Sequence, residues 1–371
     1  MILVNNPGSW GHIFSPLEHA PWHGCTPTDL VFPFFLFAVG NALAFVMPSL
    51  ESKGRGAFLK KVFKRTLLIF GIGLFLNWSP FVKWSGESLV FKYWVDPQNA
   101  ETGIRILGVL QRIALCYLFA SLILYFFKIR GAFVASAIML LGYWILCLWG
   151  NPADPFSLEG WFGTTIDKKI LGVPHMYKGE GVPFDPEGLV STLPAIVQVI
   201  FGYFVGNYIQ QKGKTYEMLS NLFVAGAILV FSGSTWDLLF PINKKIWTSS
   251  YVLYTSGLAT MVLGILIYLL EFKEGKGWWS RFFDVFGKNP LFIFVLSGFL
   301  PRVAALFRWK DHISPEGKIE YTSAFPWFYE NICKPVSENL EVGSLLYAIC
   351  MIIFMWSIVW WMDRKKWYLK V

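Results

Sequence analysis

The sequence predicts an all-α protein, a polytopic integral membrane helical bundle with about nine full transmembrane helices and a partial N-terminal one. Three observations carry this reading. Hydrophobic residues fill 55% of the 371 positions and charged residues only 15%, with a mean hydropathy of +0.48. Nine apolar runs each approach the roughly 20 residues that a helix needs to cross hydrocarbon. The basic residues cluster between those runs rather than within them.

Taken in order, Met1 opens directly on ILVNN, which reads as the surviving end of a helix whose first half is missing. There is no basic segment followed by a small-residue cleavage site, so no signal peptide is expected. Pro7, Pro16, Pro21 and Pro27 interrupt any helix across 7–28 and predict an ordered, non-helical cap. The apolar runs follow at 29–49, 62–82, 106–127, 131–150, 188–210, 218–240, 247–270, 284–302 and 343–362. Alternate connections collect Lys53 to Arg65, Lys128 and Arg130, Lys212 and Lys214, Lys273 to Arg281, and Arg364 to Lys370. The positive-inside rule makes that side cytoplasmic. The His19 loop and the long connections 83–105, 151–187 and 303–342 then fall on the opposite side. A single transmembrane domain over 1–371 is expected, with 1–28 the remnant helix and loop, 29–362 the bundle and 363–371 a basic cytoplasmic tail.

Composition also excludes other classes. The net charge of +8 lies in short interfacial clusters, so nucleic acid is not expected as a partner. Five cysteines, three of them inside apolar runs, show no CxxC spacing and predict no obligatory disulfide. The 18 tryptophans suit anchoring at headgroup level.

The stretch Asn5–Gly40 holds three of the five histidines, His12, His19 and His23, just before a long apolar helix. Titratable groups at the mouth of a span are expensive to keep without a use. His19 and His23 have the i, i+4 spacing of a zinc pair, but Pro21 lies between them and no third ligand follows, so no metal is expected. A general base is the stronger reading, because imidazole titrates near neutrality; a histidine merely hydrogen-bonded in a packed loop is the bland one. Thr26 or Thr28 is expected to cap the first span, with Asp29 a first-turn acid favourable beside the helix dipole, or else Asp29 orients a histidine. Arg112, in GVLQRIALCYLF, needs an acid, a carbonyl or an anionic ligand, unless it snorkels to the interface. Asp237 raises the same question, with Lys244 and Lys245 as interfacial partners. Lys288 and Asn289 precede Pro290 at a helix start, an arrangement suited to an anion or to a cytoplasmic-edge anchor. In PFDPEG, Asp185 is expected to cap the helix that begins near Leu189, or to add an acid to a cavity.

The motifs LVNNPGSW, LEHAPWHG and TPTDLVFPFFLFAVG, with RILGVLQRIALCY, FDPEGLVSTLPAIV, PINKKIWTSSYVL and the tail KKWYLKV, occur in order along the chain. Together they resemble the acyltransferase family of heparan-α-glucosaminide N-acetyltransferase and its shorter bacterial relatives. The family's first core helix normally opens on an SLDxFRG-like segment, and this chain starts after it. The resemblance implies a multi-helix membrane fold that moves an acetyl group from cytoplasmic acetyl-CoA to an amino group of glucosamine or a related glycan. It implies that His19 is the catalytic base, that Asn5 lies near the transferred acetyl group, and that Asp29 and Arg112 sit in shared motifs. From the residues, Arg112, Lys288, Asn289 and Lys370 are expected to meet the donor's phosphates. The expected setting is the bacterial inner membrane, with the His19 loop periplasmic and a homodimer allowed. Direct transfer and a route through acetyl-His19 both stay open. A membrane transporter or flippase for a sugar or lipid-linked glycan is the alternative.

Overall fold

The computed structural model describes residues 1–314, 317 and 319–369, and most of them are helical. Helices α1 (Ile2–Asn5), α2 (Val31–Ser52) and α3 (Arg55–Trp78) precede two hairpins, β1 (Val82–Ser85) with β2 (Ser88–Phe91) and β3 (Val95–Asp96) with β4 (Asn99–Gly103). Next come α4 (Val109–Gly150), α5 (Gly163–Leu171), α6 (Leu189–Lys212), α7 (Tyr216–Trp236) and α8 (Ser249–Ile267). The last elements are α9 (Trp278–Lys288), α10 (Pro290–Ala304), the hairpin of β5 (Arg308–Ile313) with β6 (Ile319–Ser323), α11 (Ala324–Phe328) and α12 (Leu340–Arg364).

Among the described residues, six helices are long and apolar enough to cross a membrane: Pro27–Ser52, Val109–Gly150, Leu189–Lys212, Tyr216–Trp236, Ser249–Phe272 and Leu340–Arg364. The number is seven if α9 and α10, bent by 78°, form one span. The chain is a helical membrane protein. The expectation of an all-α chain is corrected in its connections, where three antiparallel two-stranded hairpins form. In the first, Ser85 pairs with Ser88 around Gly86, whose φ of 58° lies in the left-handed region that a tight hairpin turn requires. Strands this short leave too few residues for a period-two pattern to stand out in aromatic-rich loops.

The chain divides into two compact units. The larger comprises residues 19–77 and 95–275. Here α2 and α6 lie backbone to backbone: a Cβ at Gly40 would fall 1.8 Å from the Val199 carbonyl oxygen, and one at Gly202 would fall 2.0 Å from that of Phe37. Lipid tails give apolar helices little reason to associate, so close approach at small residues provides the packing. Within α4 the chain reverses at Lys128, the one non-helical residue of the element. Lys128 pairs with Glu51 at the C-terminal end of α2 (3.0 Å), whereas Tyr143 on the returning limb donates to the Ile246 carbonyl (2.5 Å), near the start of α8. The N-terminal ends of α2, α4, α6 and α8 thus share one end of this unit. Lys53, Arg55, Lys128, Lys212 and Lys273 gather at the other.

The start of α6 departs from the sequence reading. Asp167, not Asp185, caps it, accepting the Leu189 N–H at Oδ1 (3.0 Å), whereas the Asp185 oxygens are filled by Arg105 and by the N–H groups of Tyr177 and Glu187.

The smaller unit comprises residues 1–18, 78–94 and 276–371. Val285, Ile293, Tyr329, Cys333, Tyr347, Met351, Met355 and Val359 form its core. The guanidinium of Arg308 lies 3.9 Å from the ring centroids of both Trp84 and Tyr321, joining the first and last hairpins.

Candidate active site

In the larger unit, a short turn of backbone sets the geometry of His19. Thr26 and Asp29 form a capping box at the 3-10 turn Pro27–Leu30 that leads into α2. Asp29 Oδ2 accepts from the Thr26 N–H (3.1 Å), the Thr26 hydroxyl (3.1 Å) and the Ala20 N–H (3.0 Å). The Ala20 bond draws the preceding residue in, and His19 Nδ1 lies 2.7 Å from Asp29 Oδ1. One oxygen of Asp29 thus belongs to the capping box and the other meets the histidine. Gly24, with a φ of 103°, turns the loop so that its N–H reaches the Ile242 carbonyl (2.8 Å). That contact brings Lys244 and Lys245, ahead of α8, against the histidine.

The result is a cleft of about 230 Å³ lined by His19, Asp29, Trp22, Arg105, Val109, Tyr177, Glu180, Glu187, Lys244, Lys245 and Trp247. It is smaller than the ~300–1,000 Å³ of sites that bury drug-sized ligands, and so suits one terminal group of a larger molecule. Its charges are interlocked. Arg105 binds Asp185 in bidentate fashion (3.0 and 2.6 Å) and Glu187 (2.5 Å), with its guanidinium 4.8 Å from the Tyr177 ring centroid. Burial works against the Arg105 charge, but Glu187 and Asp185 outweigh it and hold its pKa above the ordinary value. Burial would raise Glu187, yet Arg105 and Arg112 keep it below its ordinary range. Lys245 bridges Glu180 (2.6 Å) and the Pro21 carbonyl (2.8 Å). Lys244 lies 3.0 Å from His19 Nδ1 and 3.3 Å from Asp29 Oδ1; burial depresses its pKa, with Asp29 and Glu187 pulling the other way. Cys25, close to Asp29, is no candidate nucleophile, since burial and the Asp29 charge push its thiol up to about 12.

Chemically, the arrangement offers a general base. With the proton on Nδ1 held by the carboxylate, Nε2 carries a lone pair, and the His19 side chain is 43% exposed. His23 instead meets the Asn243 amide at Nδ1 (3.4 Å). His12 is an exposed residue of the smaller unit.

Arg112 does not snorkel. It is wholly buried, donates through Nη2 to the Gly188 carbonyl (3.1 Å) and the Ser191 hydroxyl, and lies 5.0 Å from the centroid of Trp247. Its Nε and Nη1 have no hydrogen-bond partner among the described residues. Asn5 ends α1 in the smaller unit with an exposed side chain. In the same unit, Lys288 pairs with Asp284 (2.8 Å) and Asp363 (3.0 Å), and the Asn289 amide is occupied by the backbone of Trp367 and Leu369. Lys370 lies outside the described residues. Asp237 accepts the Ile242 N–H (2.5 Å), which corrects its pairing with Lys244 and Lys245. Sequence reasoning did not place Lys244, Arg105 or Glu187 in the site. The signal available was their position in the PINKKIW, RILGVLQR and FDPEG segments.

No family model matches the chain. It is similar to the protein named heparan-alpha-glucosaminide N-acetyltransferase in Homo sapiens, with 26% identity over 419 residues that cover 97% of this chain and 57% of that protein. The Mus musculus protein of the same name is 25% identical over 370 residues, covering 84% of this chain and 53% of its own length. The chain spans little more than half the length of these curated relatives.

Proposed function

We propose, from this kinship with heparan-α-glucosaminide N-acetyltransferases and from the His19–Asp29 pair at the cleft, a transmembrane acetyltransferase. Its acceptor is an amino group of glucosamine or a related glycan, and its donor is cytoplasmic acetyl-CoA, which supplies the activated thioester. The observation that carries the reading is the 2.7 Å contact between His19 Nδ1 and Asp29 Oδ1 at the cleft. His19 accepts the amine proton; Asp29 holds the ring and its tautomer. Such a base is typically worth about 10² to 10⁴ in rate.

Toward the donor, Arg112 is the first candidate. A buried guanidinium with two idle donors is costly, and an anionic or carbonyl group would relieve that cost. Lys288, Asn289 and Lys370 are secondary candidates, and the first two would have to exchange present partners. Asn5 enters as an oxyanion donor on its motif alone.

The chain would act as one transmembrane domain of nine spans, with α3 crossing, α4 crossing twice through its reversal at Lys128, and α9 with α10 crossing once. The basic connections would be cytoplasmic and the His19 loop periplasmic, in a bacterial inner membrane. The deciding experiment is incubation of the detergent-purified protein with labelled acetyl-CoA and a panel of amino sugars. Acetylated sugar is the expected product. No acetyl transfer in detergent, together with sugar movement in sealed vesicles, would replace the enzyme with a transporter.

A further inference from the structure

We propose that Lys244 is a positioning residue of the His19–Asp29 pair: its ammonium, set over the imidazole face and against the carboxylate, keeps the ring uncharged with Nε2 open. The proposal deepens the acetyltransferase reading and takes from it the role of His19 as base.

The geometry leads to this role. Lys244 Nζ lies 3.0 Å from His19 Nδ1 and 3.4 Å from Nε2. A nitrogen so near both cannot lie in the ring plane, because Cε1 stands between them and would collide with it. It therefore sits over the ring face, where it meets no ring lone pair. Asp29 Oδ1 lies 2.7 Å from Nδ1, and Lys244 directs its own donor to that oxygen at 3.3 Å.

A buried carboxylate beside an imidazole favours the imidazolium, and an imidazolium cannot accept a proton. An ammonium over the same ring opposes that charge through space while leaving the Nδ1–H to Asp29 bond in place. The remaining charges facing the cleft contribute less, because Arg105 and the nearby Arg112 are matched by Asp185 and Glu187, and Lys245 by Glu180. The Cys25 thiol, pushed up to about 12, is uncharged. Lys244 is thus the cation whose removal changes the balance at His19.

Diethylpyrocarbonate modifies neutral imidazole, and His19, 43% exposed, is open to it. Carbethoxylation of the His19 peptide, read by mass spectrometry in the full chain across pH with His19→Asn as the blank, measures the charge of the ring without any acetyl transfer. Lys244→Met is expected to move the half-reaction point upward by about one pH unit or more, as loss of a contact charge requires. Lys244→Arg, which keeps the cation, should stay near the unmodified protein. Where transfer is measurable, the acid limb of kcat/KM should move with the carbethoxylation curve in Lys244→Met. If Lys244→Met unfolds, Lys244→Gln takes its place, with its melting curve as the check. A Lys244→Met or Lys244→Gln profile superimposed on that of the unmodified protein overturns the proposal. If no amino sugar is acetylated by the unmodified protein, the enzyme reading falls, and the carbethoxylation arm still decides the role of Lys244.

Discussion

Replacing Asp29 by asparagine keeps the volume and removes one acceptor, and the structure says where the loss falls. Oδ2 accepts two backbone N–H groups, those of Ala20 and Thr26, and one hydroxyl. Oδ1 faces His19 Nδ1 and the Lys244 ammonium. An amide has one oxygen to offer these two sides. Leaving the buried Ala20 N–H and the part-buried Thr26 N–H unpaired costs up to about 1–3 kcal/mol each. The side facing Oδ1 adapts more cheaply, since the imidazole can change tautomer and Lys244 is 20% exposed. The amide oxygen therefore takes the Oδ2 place and its NH₂ points at His19. Nδ1 then becomes the acceptor, and the ring proton moves to Nε2, the atom that must receive the acceptor's proton. Asp29→Asn should fold, lose about 1–3 kcal/mol of stability with the charge, and drop about 10²- to 10⁴-fold in kcat while keeping acetyl-CoA affinity. Turnover with labelled acetyl-CoA and glucosamine, alongside melting and donor-binding curves, measures all three quantities. An Asp29→Asn protein within about fivefold of the original kcat would refute the tautomer argument.

His19→Asn should lower acetyl transfer by at least about 10²-fold and spare acetyl-CoA binding, whereas the same change at His12 or His23 should cost far less; turnover and donor-binding titrations compare them. Arg112→Ala is expected to weaken acetyl-CoA binding in a folded protein, and unchanged affinity in isothermal titration would count against Arg112 as a donor contact. Burial and the charge of Asp185 raise Asp167 to about 6 against a reference of 3.8, with one oxygen unpartnered among the described residues. Its folded form binds the proton more tightly, so its stabilising contribution is full below the unfolded pKa and is lost as pH rises through about 6. Above that, the ionised group costs at most about 3 kcal/mol. Asp167→Asn should accordingly raise the melting temperature at pH 8 more than at pH 5, and an equal change at both would exclude this account. Impermeant cysteine labelling should separate single cysteines placed in 53–65 and 273–281 from those placed at 12 or in 151–187; labelling of both sets from one side would sink the topology.

The local properties of the chain were legible in its order of residues. Hydropathy depends on composition over a window about one helix long, so apolar runs such as 188–210 and 218–240 fall close to α6 and α7. The capping box of Thr26 with Asp29 is equally local, three residues apart. His19 stood out because a titratable ring before a span is unusual on any fold. The partners of these residues are a different matter, because they are set by packing between segments distant in sequence. Lys244 reaches His19 across 225 positions and Arg105 reaches Asp185 across 80. Asp185 was expected as the cap of α6; Asp167 holds that place, whereas the Asp185 oxygens meet Arg105 and the N–H groups of Tyr177 and Glu187, an arrangement invisible to spacing. The sequence by itself thus determined a membrane-embedded helical chain with a histidine-bearing loop at the start of its first long helix. Only the tertiary structure decided which charges share that loop's cleft, since a buried ion takes whichever counter-charge the converging helix ends present to it.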